Sequence, residues 1–183
     1  MSRTYYYFIA SLPRIEFDGR LPVSLSDFLK SCENLLEEKD FQLIKEILND
    51  EEPAVKTTNK TLEAWTHFNS RLINELAWFR AERAGKDPVN HVRGEKSKDP
   101  HLTAIIHQIS QEPNLLISEK FLDQIRWKFL EELRFGQYFN MEFLIIYALK
   151  LRILARYEEI YSDKGKEQFE ELKKIHFANE IFV

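Results

Sequence analysis

The sequence predicts a mainly α-helical bundle of about seven helices with a short extended segment at its N-terminus. Two observations carry that prediction. Apolar residues recur at helical spacing through most of the 183 residues, and capping residues precede those stripes while glycines or prolines close them. With only five Gly and six Pro, little interrupts the stripes, and the chain is long enough to bury a core without disulfides or metals.

Residues 5 to 25 hold Pro13, Gly19 and Pro22 among apolar residues, so they are expected to form a short strand or buried extended segment and then a loop. Ser24, with Asp27 three residues on, has capping-box spacing, and Phe28, Leu29, Cys32, Leu35 and Leu36 then mark an amphipathic helix. Asp40 is expected to cap a second helix, with Phe41, Ile44, Ile47 and Leu48 inward and Asp50 to Pro53 as its stop. The two make a helical hairpin.

After a polar connection from Lys56 to Lys60, Leu62, Trp65, Phe68, Leu72, Leu76 and Phe79 form one stripe that ends near Gly85. Residues 85 to 100 mix Gly85, Pro88, Gly94 and Pro100 with charge and read as a connector. Leu102, Ile105, Ile106 and Ile109 then define a short helix closed by Pro113. Ser118 is expected to cap the next, whose Leu122, Ile125, Phe129 and Leu133 run on to Gly136. A helix from near Asn140 is apolar nearly all round between Phe143 and Leu154, which marks it as packed on most sides. Gly165 is expected to divide it from a final helix ending near His176, followed by a tail. The resulting plan is an N-terminal module over 1–84, a connector over 85–100 and a C-terminal module over 101–183, packed together as one unit. Residues 61 to 85 and 140 to 165 share a coarse plan of a long aromatic-rich helix that turns basic, a likeness of pattern only.

Composition narrows the function. The longest apolar run, Phe143 to Leu149, falls far short of the roughly 18 residues of a membrane span, so a soluble protein is expected. A single cysteine, Cys32, excludes an internal disulfide and fits a reducing cytoplasm. A formal net charge of −4 gives no general reason to bind nucleic acid or an anionic membrane. The N-terminal Tyr5 to Ile9 is too short and too tyrosine-rich for a signal peptide and is read as part of the fold.

No motif for chemistry emerges. Glycines are too scattered for a phosphate loop or a dinucleotide fingerprint, and the five histidines hold no i, i+4 pair for a metal. Adjacent acids such as Glu131 and Glu132 diverge by about 100° on a helix and cannot flank one bond. Cys32 sits on an apolar stripe, where a thiol behaves as a small hydrophobe. No catalytic residue, cofactor or metal is therefore expected. The connector region holds Arg83, Lys86, Arg93, Lys96 and Lys98 against Asp87, Glu95 and Asp99, with no aromatic among them, so it suits a solvated or protein-docking loop better than a nucleic-acid groove. Tyr5 to Phe8, Trp127, Tyr157 and Tyr161 are the aromatic candidates for an interface.

Three stretches carry a resemblance: Tyr5-Tyr6-Tyr7-Phe8-Ile9-Ala10-Ser11-Leu12-Pro13; Arg80-Ala81-Glu82-Arg83-Ala84-Gly85-Lys86-Asp87-Pro88; and Phe135-Gly136 followed by Glu142, Tyr147, Lys150, Leu151, Ile153, Leu154 and Arg156. With these the chain resembles an uncharacterised bacterial family encoded beside V/A-type rotary ATPase subunits, and through it the C-type (also called d-type) stalk component of those machines. Proteins of that type are helical funnels of three related modules that seat the central stalk on the rotor ring. The resemblance implies a non-enzymatic accessory or central-stalk part of a proton or sodium ATPase, cytoplasmic or peripheral on the inner membrane. Its expected partners are stalk or rotor subunits, and its expected docking residues are Arg83, Lys86, Asp87, Tyr5 and Tyr6. At 183 residues the chain is short for three modules, which puts in doubt a complete socket. Two other readings stay open: a general helical adaptor, and an enzyme whose site assembles from Glu75, Arg71, His67 and Glu142.

Overall fold

The computed structural model describes residues 5–49, 59–92 and 99–162, with 165 and 167. Among the described residues it has seven α-helices, one 3-10 turn and no strand, in keeping with the expected mainly α class. Two compact units divide it. Met1–Pro53 with Phe139–Val183 make the first, and Ala54–Tyr138 makes the second. The sequential division at 85–100 is thus not the one the contacts draw: the connector falls inside the second unit. The helix Pro100–Ser110 that follows it lies beside Lys60–Arg83 and runs in the same direction, Asp99 pairing with Arg71, Thr103 with Glu75 and Arg83 with the Ser110 carbonyl, so the connector joins two packed helices rather than separating modules.

In the first unit, α1 (Tyr6–Ser11) stands where a strand or extended segment was expected. A short apolar run does not distinguish the two by its pattern. The backbone N–H of Tyr5 is already taken by the Phe139 carbonyl at 2.6 Å, and Phe8 and Ile9 bury side by side as a helix turn places them. The extended backbone begins only at Leu12. Helix α2 (Leu25–Leu35) starts at Ser24, whose hydroxyl accepts from the Asp27 N–H, as its spacing predicts. Helix α3 (Glu38–Leu48) has its N-terminal boundary at Glu37, three residues before the expected Asp40 cap, and Glu37 makes no side-chain cap. Asp40 is instead held by the Tyr5 hydroxyl, and Glu38 and Asp40 favour the first turn through the helix dipole. Helix α7 (Met141–Tyr161) packs on α2 and α3, and Leu144 to Leu149 are all buried. Tyr147 donates to the Pro13 carbonyl at 3.0 Å, and Arg152 Nη1 satisfies the Ile47 carbonyl near the end of α3 at 2.8 Å. Helix α7 stops at Ser162, three residues before the expected Gly165, whose N–H donates to the Ser162 hydroxyl. Most of the expected final helix and the whole tail lie outside the described residues.

In the second unit, α4 (Lys60–Arg83) is capped by Asn59, which accepts from the N–H groups of Thr61 and Leu62. It ends in a Schellman turn: Gly85 takes φ +65, its N–H bonds the Glu82 carbonyl, and that of Lys86 reaches back to Ala81. A 3-10 turn, Pro88–His91, packs on α4. Helix α5 (Pro100–Ser110) follows, with Asp99 accepting from His101 and Leu102 and Pro100 in the first turn. Helix α6 (Leu115–Arg134) is capped by Asn114, not by Ser118. Asn114 follows Pro113 directly and is as good a cap, so the helix starts there, and Ser118 becomes a buried residue whose hydroxyl donates to the Ile109 carbonyl. The core joins Leu72 to Leu102, Ile106, Ile109 and Leu122 from α5 and α6, with Phe68 stacked on Phe129 at 3.9 Å.

Candidate functional site

The five expected docking residues fall into two groups, one per unit. In the first unit, Tyr5 is anchored at both ends. Its backbone bonds Phe139, and its hydroxyl donates to Asp40 at the start of α3. Burial pushes the Tyr5 phenol up to about 12, helped by the hydrogen bond and charge of Asp40 and by the charge of Glu37, against the Glu37 backbone N–H. Tyr5 is therefore a clamp, and the exposed aromatic surface is its neighbour. Tyr6 is 52% and Tyr7 88% exposed, with ring centroids 5.5 Å apart edge to face. Phe139, 38% exposed, completes the cluster 4.5 Å from the Tyr6 ring. Large rings left this open to water are costly unless something covers them.

Sequence reasoning reached Tyr6 but missed Phe139, which lies more than 130 residues away along the chain. Only the fold brings them together. Among the other aromatic candidates, Trp127 is buried in the second unit, and Tyr157 is half-buried with its ring edge-on to Phe17. Both serve packing.

Arg83, Lys86 and Asp87 do come together, all exposed, where α4 ends. Two of them have local structural work. Arg83 Nη1 donates to the Ser110 carbonyl at 3.1 Å, completing the C-terminus of α5. Asp87 caps the 3-10 turn by accepting from the Val89 N–H at 3.1 Å. Lys86 is thus the cleaner docking candidate of the three. Arg93, Lys96 and Lys98 lie outside the described residues.

The residues named for an assembled enzyme site do not converge within one unit. Glu142 belongs to the first unit, in the first turn of α7. His67, Arg71 and Glu75 follow one another at four-residue steps on α4 in the second, with His67 exposed. Arg71 pairs with Asp99 at 3.1 Å, and the Thr103 hydroxyl lies 2.7 Å from Glu75 Oε1 and 3.1 Å from the Asp99 carbonyl. Glu75 is only 3% exposed, and its Oε2 has no hydrogen-bond partner among the described residues. A carboxyl sealed in this way meets no substrate from solution. A second buried acid, Asp123, is held by Arg126 at 2.8 Å, and Arg126 Nε also donates to Asn69 at 3.0 Å. Neither burial was visible in the sequence, because both acids sit beside apolar stripe positions at spacings that an exposed flank also allows.

Cys32 is fully buried, and burial pushes its thiol up to about 12, against any nucleophilic role. Among the described residues no group of three or more His, Cys, Asp or Glu is placed to hold a metal, and no helix is long and apolar enough to cross a membrane.

No curated protein and no solved structure matches the chain. A family model does, that of the protein of unknown function DUF2764, over residues 50–176. That span takes in α4 to α7 and more than half of the sequence, and the chain belongs to this family.

Proposed function

We propose that the protein is a non-enzymatic accessory or central-stalk component, similar to the C-type (d-type) one, of a V/A-type proton or sodium rotary ATPase, and that it works by docking on stalk or rotor subunits. The exposed ring cluster of Tyr6, Tyr7 and Phe139 carries the docking half of this reading. Aromatic side chains offer a large contact area at little entropic cost, and they dominate the energetics of protein interfaces. The ATPase half is supported by the sequence resemblance, one stretch of which, Tyr5 to Pro13, contains that cluster's two tyrosines. A seat in such a machine requires surfaces and no catalysis, and it places the protein in the cytoplasm or at the inner membrane through its partners.

Affinity purification of the tagged full chain from its own cells tests this. Rotary-ATPase stalk or rotor components should co-purify, and the isolated chain should hydrolyse no ATP. The Tyr6→Ser/Tyr7→Ser variant should lose the association while keeping its helical circular dichroism, and Lys86→Glu should weaken it less. A reproducible set of unrelated partners would overturn the ATPase reading, and recovery unchanged by the tyrosine variant would move the contact away from α1.

A further inference from the structure

The two exposed tyrosine rings stand on the end of α1 that is least able to hold itself. The helix has six residues, well below the ~12–15 at which an isolated helix becomes stable in water, and no side chain caps its N-terminus. Its later residues Phe8 and Ile9 are buried, and the Phe8 ring stacks on Phe28 at 6.1 Å. Tyr6 and Tyr7, in the first turn, gain no such hold from burial. Tyr5, just before them, secures that turn. Its carbonyl accepts the first helical bond, from the Ile9 N–H at 3.0 Å, its own N–H donates to the Phe139 carbonyl at 2.6 Å, and its hydroxyl donates to Asp40 on α3. Tyr5 is thus the covalent neighbour of Tyr6 and the hydrogen-bonded partner of Phe139, so it fixes both stretches of backbone whose rings meet at 4.5 Å.

We propose that Tyr5 is a positioning residue for the docking surface: it makes no contact with the partner, and its hydroxyl bond to Asp40 holds the Tyr6 and Phe139 rings in the arrangement the partner meets. Rings already ordered in the free protein lose less freedom on binding, so the bond to α3 acts on affinity through the rings. The inference deepens the docking role proposed above and rests on it.

Tyr5→Phe removes the hydroxyl and keeps the ring and both backbone bonds. Tyr147→Phe is the matched control, since it also removes a phenol hydrogen bond, the one to the Pro13 carbonyl, from the same unit. Asp40→Asn leaves an oxygen to accept from the Tyr5 hydroxyl. In the isolated full chain with isotope-labelled Tyr and Phe rings, the nuclear Overhauser effects between Tyr6 and Phe139 should weaken in Tyr5→Phe and keep the parent's strength in Tyr147→Phe and Asp40→Asn. In affinity purification from its own cells, recovery of rotary-ATPase components should fall about fivefold in Tyr5→Phe, the scale of one net hydrogen bond, and hold in the other two. Ring contacts unchanged in Tyr5→Phe, or weakened as much in Tyr147→Phe or Asp40→Asn, overturn the proposal. Full recovery by Tyr5→Phe with its ring contacts weakened also overturns it, because the arrangement would then not matter to docking. If the parent recovers no such component, the docking role falls, and the ring contacts alone decide whether Tyr5 orders the cluster.

Discussion

The two longest helices share a plan in sequence but differ in what surrounds them. In α7 every residue from Leu144 to Leu149 is buried, with Leu151, Ile153 and Leu154 beyond, and apart from Lys150 these buried neighbours are hydrocarbon or aromatic. In α4 burial beyond the first turn is confined to separated positions, and between Leu72 and Ala81 the buried residue is an acid, Glu75. Helix α7 packs on α2 and α3 with almost no polar side, whereas α4 divides its surface among the 3-10 turn, α5 and α6 and keeps a polar seam toward α5. A long aromatic-rich helix therefore does not imply one kind of interior. Each helix buries one ionisable residue, Lys150 in α7 and Glu75 in α4, but only α4 sets its residue in a polar seam with a neighbouring helix of the same unit.

The harshest test of that contrast is Ile146→Asp. Ile146 is 1% exposed between the buried Ile145 and Tyr147, and Lys150, one turn on and 3% exposed, already has an interaction of its own. An unpaired buried carboxylate costs several kcal/mol, a large share of a total stability of about 5–15 kcal/mol. The variant should be recovered as aggregate or lack a cooperative thermal transition. A melt like that of the parent would mean that α7 is not the closed interior described.

What could be read beforehand follows the same contrast. The apolar run of α7, the Ser24 cap and the ends of α4 and α6 near Gly85 and Gly136 were legible because each is a local matter. Both glycines adopt positive φ, which other residues rarely take. The helical state of Tyr6–Ser11, the union of the chain's two ends in one unit and the meeting of Tyr6 with Phe139 depend on residues far apart in sequence. Periodicity contains none of that information. Ser118 shows the intermediate case: two acceptable caps stood four residues apart, and packing against Ile109 decided between them. Among the residues expected to dock, Tyr5 and Arg83 stood out in the sequence, but their work as a clamp and a helix cap did not.

Alkali should act on the first unit through Tyr147. Burial pushes this phenol up to about 12 from the ordinary 10.0, so the folded state holds the proton more tightly than the unfolded chain does. The stability this contributes is complete below pH 10 and is lost as pH rises from 10 toward 12. Tyr5 is shifted in the same direction and Cys32 from 9.0 to about 12, and both belong to the same unit. Tyrosinate absorbance should show a late class that ionises together with loss of helix. Tyr147→Phe removes the donor to Pro13, a loss of about 1 kcal/mol at neutral pH, yet it should flatten the decline between pH 10 and 12. An unchanged slope would place the alkaline sensitivity on the other groups.

The smallest effect is expected at the buried acid of α4. Glu75→Met keeps roughly the volume of the side chain and removes a carboxyl whose Oε2 has no hydrogen-bond partner among the described residues. Its Oε1 accepts from the Thr103 hydroxyl, which also lies within bonding distance of the Asp99 carbonyl at 3.1 Å. A hydroxyl has a single proton, so when the carboxyl is gone that proton passes to Asp99 and no new unsatisfied group is created. Replacing a partly satisfied buried polar group by an apolar one of like shape is nearly neutral or stabilising, whereas an unfilled site costs more. Urea unfolding should therefore place Glu75→Met within about 1 kcal/mol of the parent, and Glu75→Ala below it by a cavity penalty of about 2 kcal/mol or more. A loss of several kcal/mol in Glu75→Met would show that Oε2 has a donor in solution, and the contrast between the two helices would then become one between a dry interior and a fully paired polar one.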